Sequence, residues 1–255
     1  MNIIKEHQKR ALNYDGELQQ ITFLDKRYYK RAENLYYPSV TTVLQYMPKN
    51  KFFENWLKDV GHNAELILQK AGKEGTQVHE AIESLLKGEE VEWIDNYGNA
   101  KYSLEVWGMI IKFYDFWNTY KPDLILSEAL VYSDEYKFAG TVDLVVKLDG
   151  EVWLLDIKTS NSLQRAYDLQ LAAYAKGLKE SKQIEVERTG IIWLKALTRS
   201  SSNKKGVYQG KGWQIKAVDE IEKNFKLFQN IYELFSLDNS DSEPSYNSYP
   251  TTLKF

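Results

Sequence analysis

One stretch, GTVDLVVKLDGEVWLLDIKTS at residues 140–160, constrains the fold more than any other part of the sequence. The segments on both sides of Asp149-Gly150 are rich in β-branched, aromatic and aliphatic residues, which is typical of strands. Asp-Gly is a strong signal for a two-residue type I′ turn, which needs positive φ at both positions. The stretch therefore predicts a β-hairpin, and its register places Asp143 directly opposite Asp156.

That opposition has a physical consequence. Directly paired residues have Cβ atoms about 5 Å apart, so two aspartates there repel each other. Side chains alternate along a strand, so Lys158 lies on the same face as Asp156, next to Asp143. A divalent cation with oxygen ligands would offset the repulsion. For Asp-x-Lys alone, a structural salt bridge or an exposed strand end is the simpler interpretation. The opposed Asp143 favours metal-assisted phosphodiester hydrolysis, in which the acids hold metal and the lysine steadies the nucleophile or developing charge.

The second strand, EVWLLDIK, is apolar on both faces until its charged end, which is typical of a central strand. Helical patterns come first along the chain and a strand-rich centre with a crossover helix follows, which predicts an α/β (α+β) fold with one central mixed sheet flanked by helices. A short hairpin is expected over residues 17–31. Helices are expected at 41–47 after a Ser39 cap, 52–71, 74–86, 102–120, 163–180 and 217–236, with Gly72 and Gly88 as terminators, and strands at 124–133, 137–148, 151–158, 188–196 and 207–215.

The same patterns predict three regions within one compact unit. Residues 1–122 form an N-terminal hairpin and helical region, 123–236 a strand-rich core and 237–255 a polar tail. The absence of cysteine excludes disulfides, thiolate zinc sites, iron–sulfur clusters and cysteine nucleophiles. No apolar run of membrane-spanning length occurs, and MNIIKEHQKR lacks the apolar core of a signal peptide, so we expect no membrane association and a cytoplasmic location.

The net charge of −3 does not indicate a nucleic-acid-binding protein, but basic clusters occur locally. The clearest is KRYYKR at residues 26–31. Such a cluster is commonly a solvated turn. The alternative is a groove for a single strand, in which bases stack on Tyr28 and Tyr29 while phosphates meet Arg27 and Arg31.

Taken together, G-T-V-D, D-I-K and D-L-Q-L-A-A-Y resemble the core of the PD-(D/E)XK nuclease superfamily, in particular its RecB-type exonuclease branch. The segment GTQVHEAIE matches the upstream G-T-x-x-H motif of that branch and contains His79. The resemblance implies a restriction-endonuclease-like core and a site for Mg²⁺ or Mn²⁺. The implied ligands are His79, Asp143, Asp156 and the backbone carbonyl of Ile157. The first acid follows valine rather than the proline of the motif, which the branch tolerates.

The resemblance also implies further DNA contacts and metal ligands. Gln170 and Tyr174 occupy a Q-x-x-x-Y motif whose spacing places both on one helix face, and they are expected to contact the DNA backbone or orient the catalytic lysine. Thr159 is included among the expected DNA contacts. Glu128 matches the acidic position that opens the core and is an additional candidate metal ligand. Glu83, one turn after the motif histidine, is a weaker candidate.

The N-terminal half is similar to a narrower group, the mitochondrial genome maintenance exonuclease and its phage and bacterial relatives. The similarity is carried by YPSVTTVLQYMP, FFENWLKDVG and GKEGTQVHEAIESLLKG. It implies a metal-dependent DNA exonuclease that prefers single-stranded DNA with free ends and threads it past N-terminal helices, including the 52–71 helix. It also implies a bacterial or phage origin, with repair or recombination as the setting.

Three alternatives remain open from the sequence. The chain could be an endonuclease of the same superfamily, which would cut circles. It could be a catalytically inactive nucleic-acid-binding scaffold, although such proteins usually lose an acid or the lysine. It could also serve a recombination or replication complex, with the tail from Ser236 to Phe255 as the contact.

Overall fold

The computed structural model describes residues 18–23, 26–32, 35–197, 199–202, 206–209 and 211–239, with Pro244 and Lys254. The strands are β1 (Gln19–Phe23), β2 (Lys26–Ala32), β3 (Leu35–Pro38), β4 (Asp123–Ser133), β5 (Phe138–Leu148), β6 (Glu151–Lys158), β7 (Arg188–Trp193), β8 (Arg199–Ser202), β9 (Gly206–Gln209) and β10 (Gln214–Val218). The helices are α1 (Val40–Leu44), α2 (Lys51–Val60), α3 (Ala64–Leu86), α4 (Leu104–Tyr120), α5 (Arg165–Lys182) and α6 (Ile221–Asp238).

The central sheet has the order β10-β7-β6-β5-β4. The pairing of β6 with β7 is parallel, with α5 as the crossover, and the other neighbours are antiparallel. This mixed sheet flanked by helices confirms the predicted fold class. The strand β6 is central, as its two apolar faces predicted.

The β5–β6 hairpin has the predicted register, with Leu148 opposite Glu151 and Leu144 opposite Leu155. Asp149 and Gly150 both have positive φ, 52° and 89°, as a type I′ turn requires. Backbone pairing ends at the Leu144–Leu155 pair, one position before the two aspartates. The strands separate where the charged side chains begin, which opens space for a site.

Apolar clusters cover both faces of the sheet. On one face, residues of β5 and β6 such as Leu154 pack with α1, α5 and α6. On the other face, Leu155 and Ile157 pack with α3 and α4. The ends of β5 and β6 therefore lie between α5 on one side and α3 on the other, which brings polar residues of both helices to one place.

The first three strands form a separate small sheet, of which β3 was not predicted. Tyr29 of β2 and Tyr37 of β3 pack against Leu130 and Ala139 of the central sheet. A backbone bridge joins Ser39 to Ala139. The small sheet thus covers the start of β5. The predicted division into domains at residues 122 and 123 stays a prediction.

The helix boundary predicted at Gly72 was wrong. The break occurs at Gly61, where a 3-10 turn (Gly61–Asn63) separates α2 from α3, and Gly72 lies inside α3. Gly61 has φ 59° and ψ −131°, a conformation that residues with a Cβ rarely adopt, whereas Gly72 needs no unusual φ. Glycine in a helix interior costs only about 0.5–1 kcal/mol and does not by itself end the helix.

Residues 51–72 are called the helical arm below. It comprises α2, the 3-10 turn and the start of α3, and Ala64 is its one buried residue. Near the C-terminus the predicted arm at 207–215 was misplaced: β8 and β9 pair with each other, and β10 at Gln214–Val218 joins the central sheet. Among the described residues, no helix combines the length and the apolar character needed to cross a membrane.

Candidate active site

A cavity of about 410 Å³ opens where β5 and β6 separate. The sheet forms its floor, α3 and α5 form opposite walls, and the small N-terminal sheet closes a third side. Most of the residues predicted from the sequence motifs line it, namely His79, Glu128, Asp143, Ile157, Lys158, Thr159, Gln170 and Tyr174, together with Arg27.

A histidine and two carboxylates form the core of the site. Ligand atoms of His79, Glu128 and Asp143 all lie within 4.8 Å of one another. Nδ1 of His79 is 3.4 Å from Oε1 of Glu128 and 3.8 Å from Oδ1 of Asp143. Nε2 of the same ring is 3.2 Å from the carbonyl oxygen of Ile157. The three side chains and this carbonyl come from α3, β4, β5 and β6, so the cluster exists only in the folded chain.

The backbone at Glu128 is strained. Its φ is 46°, a left-handed value inside a strand, between the pairs Ser127–Leu144 and Ala129–Val142. A non-glycine residue costs about 1–3 kcal/mol in such a conformation. The side chain it directs toward His79 belongs to the cluster, which gives the strained residue a place in the site.

His79 is charged in this arrangement. Both ring nitrogens face oxygen acceptors, an arrangement that the doubly protonated imidazolium satisfies. Burial lowers the pKa of His79, but the Asp143 and Glu128 carboxylates raise it more, and the pKa reaches about 9. A cation that used this ring as a ligand would have to displace a proton.

Asp156 lies behind the cavity surface rather than in the cluster. It is 2% exposed. Its Oδ2 is 2.7 Å from Nζ of Lys158, and its Oδ1 accepts a hydrogen bond from Nε2 of Gln170 at 2.9 Å. Burial, partly offset by Lys158 and reinforced by Asp143, raises the pKa of Asp156 to about 6. The two aspartates therefore have different surroundings: Asp143 faces His79, and Asp156 faces the lysine.

Lys158 is held from two sides. Burial lowers its pKa, but the Asp156 and Asp143 carboxylates raise it more, so its pKa lies above the ordinary lysine value. Its Nζ also lies 4.6 Å from the centre of the Tyr167 ring, a cation–π contact. The ammonium is therefore protonated and oriented within the cavity, as a group that stabilises developing negative charge must be.

The donor set fits a divalent cation. One imidazole, two carboxylates and a backbone carbonyl are ligands that such ions accept, and the half-buried negative charge of Asp143 needs a cationic partner. His79, Glu128, Asp143 and the Ile157 carbonyl would hold the ion. Oδ2 of Asp143 already accepts a hydrogen bond from the Ile157 amide at 2.7 Å, which fixes the carboxylate. When bound, the ion would supply Lewis-acid activation of a phosphate and of water.

Tyr174 lies directly over Gly140. A Cβ at Gly140 would overlap the Tyr174 ring, lying 3.0 Å from its Cζ. The glycine of the G-T-V-D motif thus makes room for the tyrosine of the Q-x-x-x-Y motif. Two motifs that are far apart in sequence depend on each other in the fold.

Two tyrosines of the basic cluster cannot stack on bases as predicted. Tyr28 and Tyr29 are 4% and 0% exposed, and they pack inside the small sheet and against the central sheet. Alternation along β2 sends the two rings to opposite faces of the small sheet, and both faces are covered: Tyr28 packs with Phe23 and Tyr36, and Tyr29 packs against the central sheet. Arg31 does not line the cavity and instead forms a bidentate pair with Asp134 at 3.0 and 3.1 Å.

The weaker candidate Glu83 also lies outside the cavity lining, bound to Lys87 at 2.6 Å. Conversely, the sequence interpretation missed several residues that line the cavity, and four of them are polar side chains from separate elements: Gln20, Thr41, Tyr167 and Lys195. Tyr167 could have been found, since it precedes Gln170 and Tyr174 by one and two helical turns on the same face of α5. The other three reach the cavity through tertiary packing and carry no local signal.

Comparison with known proteins identifies the family to which the chain belongs. The model of the PD-(D/E)XK nuclease superfamily matches residues 57–243, more than half of the chain. None of the curated proteins compared with the chain matches it. A solved structure from Eubacterium rectale, described as a "Putative exonuclease", is 13% identical, with a TM-score of 0.42 over 71% of this chain and 77% of that one. A likeness at that level supports no conclusion about function. The family match, with the His79 cluster in place, shows that the chain belongs to the PD-(D/E)XK nuclease superfamily, whose members use divalent metals.

Proposed function

We propose that the protein is a Mg²⁺- or Mn²⁺-dependent exonuclease that hydrolyses phosphodiester bonds of DNA and prefers single strands with free ends. One observation carries the proposal. The His79–Glu128–Asp143 cluster and the Asp156–Lys158 pair converge on one cavity at the end of a hairpin. Ligands for a metal and a cation for the phosphate thus stand side by side, as phosphodiester hydrolysis requires.

The residues divide the chemistry between them. His79, Glu128, Asp143 and the Ile157 carbonyl would hold the metal, with Asp156 as a further proposed ligand. Lys158 lines the same cavity, from which its ammonium stabilises the charge that develops on the scissile phosphate.

Two further groups complete the site. Gln170 bonds both Asp156 and Lys158, at 2.9 and 3.5 Å, and so positions the pair. Thr159 follows the lysine on the cavity wall and contacts the strand being cut.

The preference for single strands has support from the cavity and the helical arm. A cavity of about 410 Å³ suits the end of one flexible strand better than a duplex. The arm beside it exposes apolar side chains, including Phe52 at 84% and Leu66 at 65%. Trp56 stacks on Phe53 in the same helix, with ring centres 5.7 Å apart. Bases of an unpaired strand can stack on such rings without sequence preference.

An endonuclease of the same superfamily is the second candidate, and a free end distinguishes the two. A catalytically inactive scaffold is disfavoured because Asp143, Asp156 and Lys158 are all present in the site. A cytoplasmic location, a bacterial or phage origin, a role in repair and contacts with recombination or replication proteins stay predictions.

The test uses end-labelled linear and circular single-stranded DNA with Mg²⁺, Mn²⁺ or EDTA, alongside a Lys158→Ala variant. We expect metal-dependent shortening of the linear strand, no attack on the circle and at least a hundredfold loss in the variant, a loss of the size found for removal of one transition-state-stabilising group. The position of the label gives the direction of degradation. Cleavage of circles would support the endonuclease instead, and equal inertness of wild type and variant with every metal would support the scaffold.

A further inference from the structure

We propose that the side of the cavity next to the small N-terminal sheet is a second phosphate-binding subsite, built around Arg27 and Tyr174. It rests on the proposed function, because the first phosphate is the one at the His79 cluster. The ligand is a phosphate group next to the scissile one on the same strand.

Arg27 provides the charge. It lines the cavity beside the Tyr29 hydroxyl, with which its side chain interacts, and among the described residues no carboxylate pairs with its guanidinium. Arg31, four residues later on the same strand, donates from Nε and one Nη to the two carboxylate oxygens of Asp134. Of these two arginines of the basic cluster, the structure thus neutralises one and leaves the other facing the cavity. A guanidinium fork matches the oxygens of a phosphate.

The backbone of Arg27 is fixed in advance. Its amide donates to Oγ1 of Thr42 at 3.0 Å, and its carbonyl accepts from the same hydroxyl at 3.1 Å and from the Ser39 amide at 2.9 Å. Ser39 and Thr42 are buried at the start of α1. The residue is therefore anchored at its base while its side chain is exposed, so binding does not have to order the backbone.

Tyr174 supplies an uncharged donor. Tyr174 lines the cavity, and its hydroxyl has no hydrogen-bond partner within the described part of the chain. The ring cannot move away, since it is packed over Gly140. Burial raises the pKa of Tyr174 well above its ordinary value, so the hydroxyl keeps its proton and can donate to an anion.

The spacing to the first site suits neighbouring phosphates. Thr141, which accompanies Arg27 and Tyr174 in the cavity lining, precedes Asp143 by two residues on β5 and faces the same way. Two residues of a strand span about 7 Å. That is close to the distance between successive phosphates of an extended single strand.

The subsite is also the end of the cavity. One residue before Gly140, Ala139 is bridged to Ser39 and packed beneath Tyr29, so the small sheet covers β5 from there on. The hydroxyl of Tyr29 contacts Oγ1 of Thr141 at 3.1 Å and seals this edge. Two sources of the phosphate follow from this geometry: a backbone phosphodiester adjacent to the cut, or the terminal phosphate of the strand.

The experiment measures binding of short single-stranded oligonucleotides by fluorescence anisotropy in EDTA, so that no cleavage occurs. The proteins are wild type, Arg27→Gln and the matched control Arg31→Gln, each checked for an unchanged thermal unfolding midpoint. The oligonucleotides carry one neutral methylphosphonate at successive positions from either end, or lack the terminal phosphate. We expect Arg27→Gln to weaken binding of unmodified DNA about tenfold or more and Arg31→Gln to change it less than about twofold.

Coupling decides the outcome. At one position of the oligonucleotide, the neutral methylphosphonate should weaken binding by the wild-type protein as much as the Arg27→Gln substitution does. The same methylphosphonate should not weaken binding by the Arg27→Gln variant any further. An internal position assigns the subsite to a backbone phosphate, and the terminal one assigns it to the end of the strand. Additive losses at every position, or no binding by wild type, would overturn the subsite. The binding measurement needs no hydrolysis, so the subsite and the proposed nuclease activity can fail independently. If only the nuclease activity were wrong, metal-dependent cleavage would be absent while the coupling between Arg27 and the phosphate remained.

Discussion

The end of the β5–β6 hairpin and the helical arm border the same cavity but differ in what surrounds them. At the hairpin end, Asp156 is 2% exposed, and its charge is balanced by a lysine that is itself enclosed. In the arm, Phe52 is 84% exposed, and α2 has no buried residue. Polar groups are buried in the first region and apolar groups are exposed in the second, so each region departs from the usual distribution.

The difference shows how the two regions act. Burial strengthens electrostatic interactions and shifts pKa values, which suits the hairpin end to chemistry. Exposure leaves rings and aliphatic side chains ready to contact an unpaired strand, which suits the arm to binding. Variants at the hairpin end should therefore lower kcat, and variants in the arm should raise KM.

The largest expected effect tests the hairpin end. Asp143→Asn removes one charge from the cluster, so we expect kcat to fall about 10²- to 10³-fold while oligonucleotide affinity in EDTA is retained. Asp149→Asn is the matched control in the same hairpin, because Asn-Gly forms the type I′ turn equally well. Steady-state kinetics and anisotropy measure the two quantities. Equal losses in both variants would show that the hairpin matters only as a scaffold.

Replacing glycine with alanine should change the free energy of unfolding in opposite directions in the two regions. Gly140→Ala places a Cβ against Tyr174 and should destabilise the protein by about 1–3 kcal/mol. Gly72→Ala, in the arm, meets nothing within 4 Å and should stabilise it by about 0.5–1 kcal/mol. Urea unfolding in EDTA measures both free energies. A destabilising Gly72→Ala would mean that the arm packs more closely than its exposure indicates.

The arm itself is tested by its most exposed ring. Phe52→Ala should raise KM for single-stranded DNA about fivefold or more with kcat unchanged, because one base loses a stacking partner. Tyr97→Ala is the matched aromatic control: this ring is 90% exposed in a turn outside the cavity lining. Equal KM values for the two variants would remove the arm from the substrate path.

The last test concerns the dependence of stability on pH. The pKa of His79 is raised from its ordinary 6.5 to about 9, so the charged ring stabilises the metal-free fold fully below pH 6.5. That contribution should disappear as pH rises from 6.5 through about 9, which lowers the unfolding midpoint in EDTA. His79→Gln should flatten this part of the profile. With Mn²⁺ the trend should reverse, because proton loss frees the ring for the ion. If the unfolding midpoint depended on pH in the same way in wild type and in His79→Gln, His79 would not be the group that titrates.

Much of the fold followed from local patterns. The Asp149-Gly150 turn set the hairpin register, and the apolar faces of β6 placed it centrally, because both depend on residues close together in sequence. The motif residues were found for the same reason, since each motif is a short segment. The break in the helical arm was predicted at the wrong glycine. Gly61 and Gly72 are the same residue type, and the positive φ that distinguishes Gly61 arises only in the folded chain.

The sequence by itself determined the order of the motifs, the hairpin and the residue types needed for a metal-dependent nuclease. Only the tertiary structure decided how they are used. It turned Tyr28 and Tyr29 into core residues and paired Arg31 with Asp134. It also left Arg27 facing the cavity and divided the two aspartates between a histidine and a lysine. The reason is distance along the chain. These outcomes depend on contacts across dozens to more than a hundred residues, such as Tyr29 with Thr141 and His79 with Ile157, which no local pattern encodes.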